Sequence, residues 1–280
     1  MESCTPCVQM ATFRLTLAYD GTDFAGWQWQ PSKRTIQNEL ESALQRITGE
    51  RPKCIASGRT DAGVHALGQV VSFSSGTRLE PDVLAKALNA ELPDDMLVFE
   101  AIRAADGFHA QRDALRKRYR YTIEDGRVRD LFARRYLWHV YRRLDAKAMQ
   151  AAAAPLVGTH DFASYETTGS PRLTTDRTVF DLTVERHTTE LTDRVILEVE
   201  ADGFLYNMVR NIVGTLVAVG KGKESIDWPA RVLELRDRTK AGMTAPAQGL
   251  FLVGVEYGEI LDFGLPILDS RSPDEDPPLE

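Results

Sequence analysis

A chain of 280 residues, 43% hydrophobic and 27% charged, can form one large domain or two ordinary ones, with the balance of a globular protein. No apolar run approaches the ~20 residues that a membrane span needs, and three cysteines are too few for a disulfide scaffold. The net charge of −7 argues against a nucleic-acid partner until its distribution is seen: from Gly258 onward seven acids face one arginine, so the rest is nearly neutral.

Residues 1–11 read as a flexible N-terminal segment. They lack the basic start and apolar core of a secretory leader, so the protein is expected in the cytoplasm. Cys4-Thr5-Pro6-Cys7 has redox spacing, but no second pair completes a metal site.

Phe13 to Tyr19 alternates as a half-buried strand and ends in Asp20-Gly21-Thr22-Asp23. The aromatic loop Phe24 to Pro31 follows, its tryptophans either capping a core or stacking on bases. Thr35 is an N-cap for a helix carrying Ile36, Leu40, Ala43, Leu44 and Ile47 on one face, stopped by Gly49. Strands are predicted over Lys53 to Ser57, with Cys54 as a small core residue, and over Gln69 to Phe73. Pro81 opens a second helix, and Leu97 to Ile102 is a further strand. This order describes an α+β domain over residues 12–112, with an antiparallel sheet covered on one face.

Between two of those strands lies Gly58-Arg59-Thr60-Asp61-Ala62-Gly63-Val64-His65-Ala66. Glycines at 58 and 63 offer positive φ on both sides of Asp61, so its carboxylate can be held on a tight turn and pointed outward. Arg59 and His65 are cations that would keep it ionised. The competing reading is a turn aspartate bonded to its own backbone.

A second α+β domain is predicted over 113–257. Arg118 to Ile123 alternates strictly, with Tyr119, Tyr121 and Ile123 on one face and arginines on the other; Tyr136 to Tyr141 is its expected partner. From Arg112 to Arg143 eleven bases face four acids, with tyrosines and Trp138 interleaved. That stripe fits either a phosphate and base-stacking surface or a solvated charged strand face. Asp145 caps a helix, and Gly158-Thr159-His160-Asp161-Phe162-Ala163 echoes Gly21-Thr22-Asp23-Phe24-Ala25, which suggests two related halves facing across a cleft. Thr178 to Val184 and Val195 to Val199 form a hairpin. Met208 to Val219 is an apolar-striped helix with Arg210 at the stripe's edge. A buried arginine there needs an acid, and Asp61 is the candidate. Asp227 caps a last helix, and Leu250 to Leu252 begins a closing strand. Residues 258–280 read as a disordered acidic tail.

The nonapeptide around Asp61 resembles the catalytic loop of the bacterial tRNA pseudouridine synthase A family. So do Asp20-Gly21-Thr22, Lys117-Arg118-Tyr119-Arg120-Tyr121, Gly158 to Phe162, Phe204 to Gly214 and Ala245-Pro246-Ala247, in the expected order. The resemblance implies an α+β isomerase with two pseudo-symmetric halves, each a mostly antiparallel sheet with helices on one face and the catalytic cleft between them. It further implies no metal or cofactor, a homodimer, and uridines 38, 39 and 40 of the tRNA anticodon arm as substrate. By that resemblance Asp61 is the catalytic carboxylate, Tyr119 stacks on the target uracil, Arg210 pairs with Asp61, and Arg59 helps extrude the base.

The family's Phe-His-Ala-Arg RNA contact corresponds to Phe108-His109-Ala110-Gln111-Arg112, with Gln111 where an arginine is expected. Arg78, Arg172 and Arg177 are further candidate RNA contacts. Whether Asp61 attacks the sugar, attacks uracil C6 or removes a ribose proton stays open. Two rival readings are a non-catalytic tRNA-binding protein on the same scaffold and an aspartate-based nucleoside hydrolase.

Overall fold

The computed structural model describes residues 10–167, 174–189 and 192–258. Cys4, Cys7, Arg172 and the acidic stretch from Glu259 lie outside them.

In the N-terminal half, β1 (Ala11–Tyr19) pairs antiparallel with both β3 (His65–Ser75) and β4 (Met96–Arg103), and the short β2 (Ile55–Ala56) pairs with β3. Helix α1 (Ile36–Thr48) forms as expected: Thr35 Oγ1 accepts the Asn38 N–H at 3.3 Å, and Gly49 closes it with a left-handed φ of 75°. Its Ile36, Leu40, Ala43 and Leu44 are fully buried. Burying the larger of these contributes about 1.5–3 kcal/mol apiece. Helix α2 (Pro81–Glu91) opens on its proline and buries Leu84 and Leu88.

In the C-terminal half, β5 (Arg116–Asp125) pairs in parallel with β6 (Trp138–Val140) and antiparallel with β9 (Asp193–Ala201). β9 continues antiparallel to β8 (Asp176–Thr188), which pairs with β7 (Gly158–Asp161). Tyr119, Tyr121 and Ile123 stand opposite Val199, Leu197 and Val195, all buried on one face. Helices α3 (Ala146–Ala153), α4 (Met208–Gly220) and α5 (Trp228–Leu235) pack together. Asp145 caps α3 by accepting the Ala148 N–H at 2.9 Å. Asp227 holds the N-cap position of α5 without a side-chain cap bond, its carboxylate taken by Arg231.

The α+β class holds, but the expectation of two facing sheets needs revision. The closing strand β10 (Leu250–Glu256) runs antiparallel to β5 and parallel to β3, through Phe251 opposite His65 and Leu252 opposite Ala66. The two halves therefore join edge to edge into a single sheet of order β4-β1-β3-β10-β5-β9-β8-β7. Parallel pairing needs a long crossover, and here that crossover runs through α2, β4 and the C-terminal half as far as β10.

Candidate active site

Over this seam lies a cavity of about 550 Å³, walled by Gly58 to Asp61 on one side and by Lys117, Tyr119 and Phe204 to Arg210 on the other.

The segment Ser57 to Val64 is pinned from beneath. Gln69 donates from Nε2 to Gly58 O at 2.9 Å and to the Tyr19 hydroxyl at 3.2 Å, while its Oε1 accepts from Ser57 Oγ at 2.7 Å. The Tyr19 and Thr60 hydroxyls share a 2.8 Å bond. From outside, Trp27 N–H donates to Thr60 O at 2.9 Å. Gly21 lies so close that a Cβ there would sit 2.0 Å from Val64 O, a contact only glycine permits. Of the two loop glycines only Gly63 takes a left-handed φ, 77°; Gly58 does not. Asp61 thus leaves its turn through one glycine, with Val64 N–H donating back to Asp61 O at 3.1 Å.

The cation facing Asp61 comes from the other half. Arg210, in the first turn of α4, places Nη1 3.4 Å from Asp61 Oδ2. The same Nη1 donates to Asn207 Oδ1 at 2.7 Å, and Nε donates to Ala245 O at 2.7 Å. Burial raises the Asp61 carboxyl above its ordinary value, and the Arg210 charge and hydrogen bond pull it back only in part. Its side chain remains 31% exposed, enough for a ligand to touch.

The sequence-based expectation that Arg59 and His65 supply the cation is not met. Arg59 is exposed on the cavity rim. His65 is buried, with Nδ1 accepting the Gly21 N–H at 3.0 Å and Nε2 bonded to Arg135 O at 3.1 Å. Burial lowers its pKa, so it is a neutral structural group beside Asp20.

Tyr119 is buried against Phe204, the rings edge to face at 5.0 Å, and lines the cavity. Burial pushes its phenol well above the ordinary value, so it stays neutral. Gln111 reaches the cavity wall, whereas Arg112 is exposed and not among the lining residues. Phe108, His109 and Ala110 do not line it either. Phe108 packs edge-on to Tyr257 at 5.2 Å, Ala110 is held by Ser72 and Tyr257, and His109 Nδ1 accepts the Gln111 and Arg112 N–H groups. Arg78 is exposed between β3 and α2, away from the cavity. Arg177, on β8, bonds Thr174 O and Asp176 O, next to Gly203 at the start of the Phe204 wall.

The basic stripe divides. Arg116 and Arg118 are paired with Glu200, at 3.0 and 2.7 Å, and Arg120 with Glu198 at 2.6 Å, on the sheet face opposite Tyr119. That part is a solvated, neutralised strand face. Sequence reasoning overlooked Lys117, which shares the Tyr119 face and donates from Nζ to Ser57 O at 2.6 Å. The two-residue spacing from Tyr119 was the available signal. It also overlooked Asn207 and Ala245, whose neighbours in sequence gave no sign that both bind Arg210. Trp27 is buried and Trp29 exposed, so the aromatic loop caps a core with only one ring free.

Among the described residues no group of three His, Cys, Asp or Glu side chains is placed to hold a metal ion.

A family model described as tRNA pseudouridine synthase matches residues 16–111 and 152–258. A protein of Thermoanaerobacter sp. (strain X514) named tRNA pseudouridine synthase A is 45% identical over 248 residues, covering 89% of this chain and all of the relative. One of the same name from Moorella thermoacetica is 48% identical over 250 residues, and one from Brevibacillus brevis 46% over 248, with the same coverage.

Proposed function

The chain belongs to the tRNA pseudouridine synthase family, and from that premise we propose that it isomerises uridine to pseudouridine at positions 38, 39 and 40 of the tRNA anticodon arm, with Asp61 as the reacting carboxylate. One observation carries the choice of Asp61: its carboxylate stands part-exposed in a cavity of about 550 Å³, facing a guanidinium from the other half of the chain. A cavity of that size suits a nucleotide.

A stem or loop uridine must be everted to enter, at a cost of a few kcal/mol. Exposed Arg59 at the rim takes the phosphate side, and the uracil lies against Tyr119, where stacking contributes about 1–3 kcal/mol per base. Breaking the bond from C1′ to N1 leaves its electron pair on uracil and positive character on the sugar. The ionised Asp61 stabilises that character by charge or by a transient bond. The uracil turns so that C5 bonds to C1′; the C5 proton leaves and N1 gains one, so substrate and product are isomers. Arg210 keeps Asp61 aimed at the cavity, and Lys117 holds the Ser57 end of the loop.

The protein acts in the cytoplasm, where tRNA is found, and as a homodimer. Among the described residues no helix is long and apolar enough to cross a membrane. Support for self-association comes from the loop between β5 and β6. Val128 and Phe132 on it are 83% and 92% exposed, yet the loop is held firmly by Asp130, which accepts the Phe132 and Ala133 N–H groups and an Arg194 bond. Held in place in this way, the exposed Val128 and Phe132 offer an apolar contact for a second copy of the chain.

The assignment is tested by incubating the protein with uridine-containing tRNA and mapping carbodiimide-resistant adducts. Adducts at 38 to 40 with wild type, and none with Asp61→Asn despite retained tRNA binding, are expected. Free uracil instead of adducts, or full activity of Asp61→Asn, would refute it.

A further inference from the structure

Asn207 takes a left-handed conformation, φ 60° and ψ 9°, immediately before α4. An asparagine there ordinarily spends its side-chain oxygen on an N–H of the first helical turn. Here no such cap bond forms. Its Oδ1 accepts from Arg210 Nη1 at 2.7 Å instead, and its Nδ2 donates to Thr167 Oγ1 at 3.2 Å, which fixes the amide's orientation. The left-handed backbone turns the side chain away from the cap, and its oxygen grips one guanidinium instead.

That grip decides how Arg210 meets Asp61. Charge-assisted bonds between arginine and carboxylate close to about 2.7–2.9 Å, often as a two-pronged fork. In this site the two 2.7 Å bonds go to neutral oxygens, Asn207 Oδ1 and Ala245 O, while the carboxylate receives a single contact at 3.4 Å. Ala245 is itself fixed, because its N–H donates to Arg210 O at 3.0 Å and neighbouring Thr244 bonds Asn211. The arginine is therefore anchored within its own half and leans toward Asp61 without clasping it. Clasped, the carboxylate would stay ionised, but its lone pairs would be occupied.

We propose that Asn207 is a positioning residue that holds Arg210 back from Asp61, leaving the carboxylate charged and free to engage the nucleotide. The proposal rests on the reading of Asp61 as the reacting group.

Two variants at this position have opposite consequences, and both glycine and aspartate tolerate a left-handed backbone. In Asn207→Gly the guanidinium loses its retaining oxygen and closes on Asp61. The Asp61 titration midpoint falls by about one unit, and kcat drops about tenfold at neutral pH with KM within about twofold. In Asn207→Asp a second carboxylate draws Arg210 away and repels Asp61, so the midpoint rises by about one unit. The midpoint is read by NMR on protein with ¹³C-carboxyl-labelled aspartate, the Asp61 signal being the one missing from Asp61→Asn; kcat against pH follows the same shift. A carboxylate at 207 raises the midpoint by its charge alone, so the glycine variant decides and Asn207→Asp serves as the control that the Asp61 signal responds to this position. A rise or no shift in Asn207→Gly would overturn the proposal, since a merely structural asparagine has no reason to lower the midpoint when it is removed. Absence of pseudouridine with wild-type protein would refute the functional reading instead, while the titration still reports on Asn207.

Discussion

Asp61 and Arg210 meet at 3.4 Å from positions 149 residues apart, one on a loop before β3 and the other on the first turn of α4. Burial lifts the Asp61 carboxyl and Arg210 opposes that lift. Removing the guanidinium charge with Arg210→Gln therefore raises the carboxyl further, and a step that needs it ionised is lost at a higher pH. The acid limb of kcat/KM is expected to move up by about one unit, the low end of the usual effect of a neighbouring arginine because the site is partly solvated. A pH profile of wild type and variant checks this; an unmoved limb would mean that Asp61 does not report the proton that matters.

The arginines of β5 and the arginine of the Asp61 loop differ in what they can offer RNA. Arg118 already spends its charge on Glu200, whereas Arg59 stands exposed on the cavity rim. Arg59→Ala is expected to weaken tRNA binding and to reduce the slope of log Kd against log salt by about one, and Arg118→Ala to leave that slope unchanged. Fluorescence titrations of labelled tRNA at several salt concentrations distinguish them. Equal effects would return the β5 stripe to the binding surface.

The loop carrying Phe132 gives a test of assembly. Among its arginines, Val128, Leu131 and Phe132 stand exposed on a loop braced by Asp130 and Glu124, so Phe132→Ser leaves the fold intact while removing the largest apolar contact it can offer. Sedimentation is expected to show a dimer for wild type at micromolar concentration and a dissociation constant at least about tenfold weaker for the variant, in the range of interfacial aromatic residues. An unchanged association constant would move the dimer contact elsewhere or remove it.

Much of this could be read from the chain because it was written locally. The Thr35 and Asp145 caps, the proline opening α2 and the alternation through Tyr119 depend on residues a few positions apart, and each element formed where they indicated. Asp61, Tyr119 and Arg210 also meet around one cavity. What stayed hidden depends on partners distant in sequence. The choice between a phosphate surface and a solvated strand face for Arg116, Arg118 and Arg120 stayed open until the β5–β9 register brought Glu198 and Glu200 beside them. The merging of two sheets into one turns on β10 pairing with β3 through two residue pairs, which no periodicity announces. Asn207 drew no reading from the sequence, because its contact with Arg210 depends on a side-chain oxygen turned away from the cap.

Asp125 and Arg186 supply the stability prediction. The Asp125 side chain is fully buried at the end of β5 and accepts from Arg186 Nη1 and Nη2 at 2.8 and 2.7 Å and from the Leu144 N–H at 2.6 Å. Burial pushes its carboxyl up, but the Arg186 bonds, the Leu144 N–H and the charges of Arg186 and Arg143 together outweigh it, so the folded value lies below the ordinary one. A carboxyl depressed on folding stabilises the protein above its unfolded value of about 3.9, and that contribution is lost as pH falls through the folded value. Asp125→Asn is expected to destabilise by about 3 kcal/mol at pH 7, the low end for breaking a buried pair because Arg186 keeps Asp193 at 2.8 Å. Urea denaturation of both proteins from pH 7 to pH 3 checks it, and the gap should narrow below about pH 4 as wild-type Asp125 takes up its proton. A gap independent of pH would assign the loss to the altered Leu144 contact and not to the ion pair.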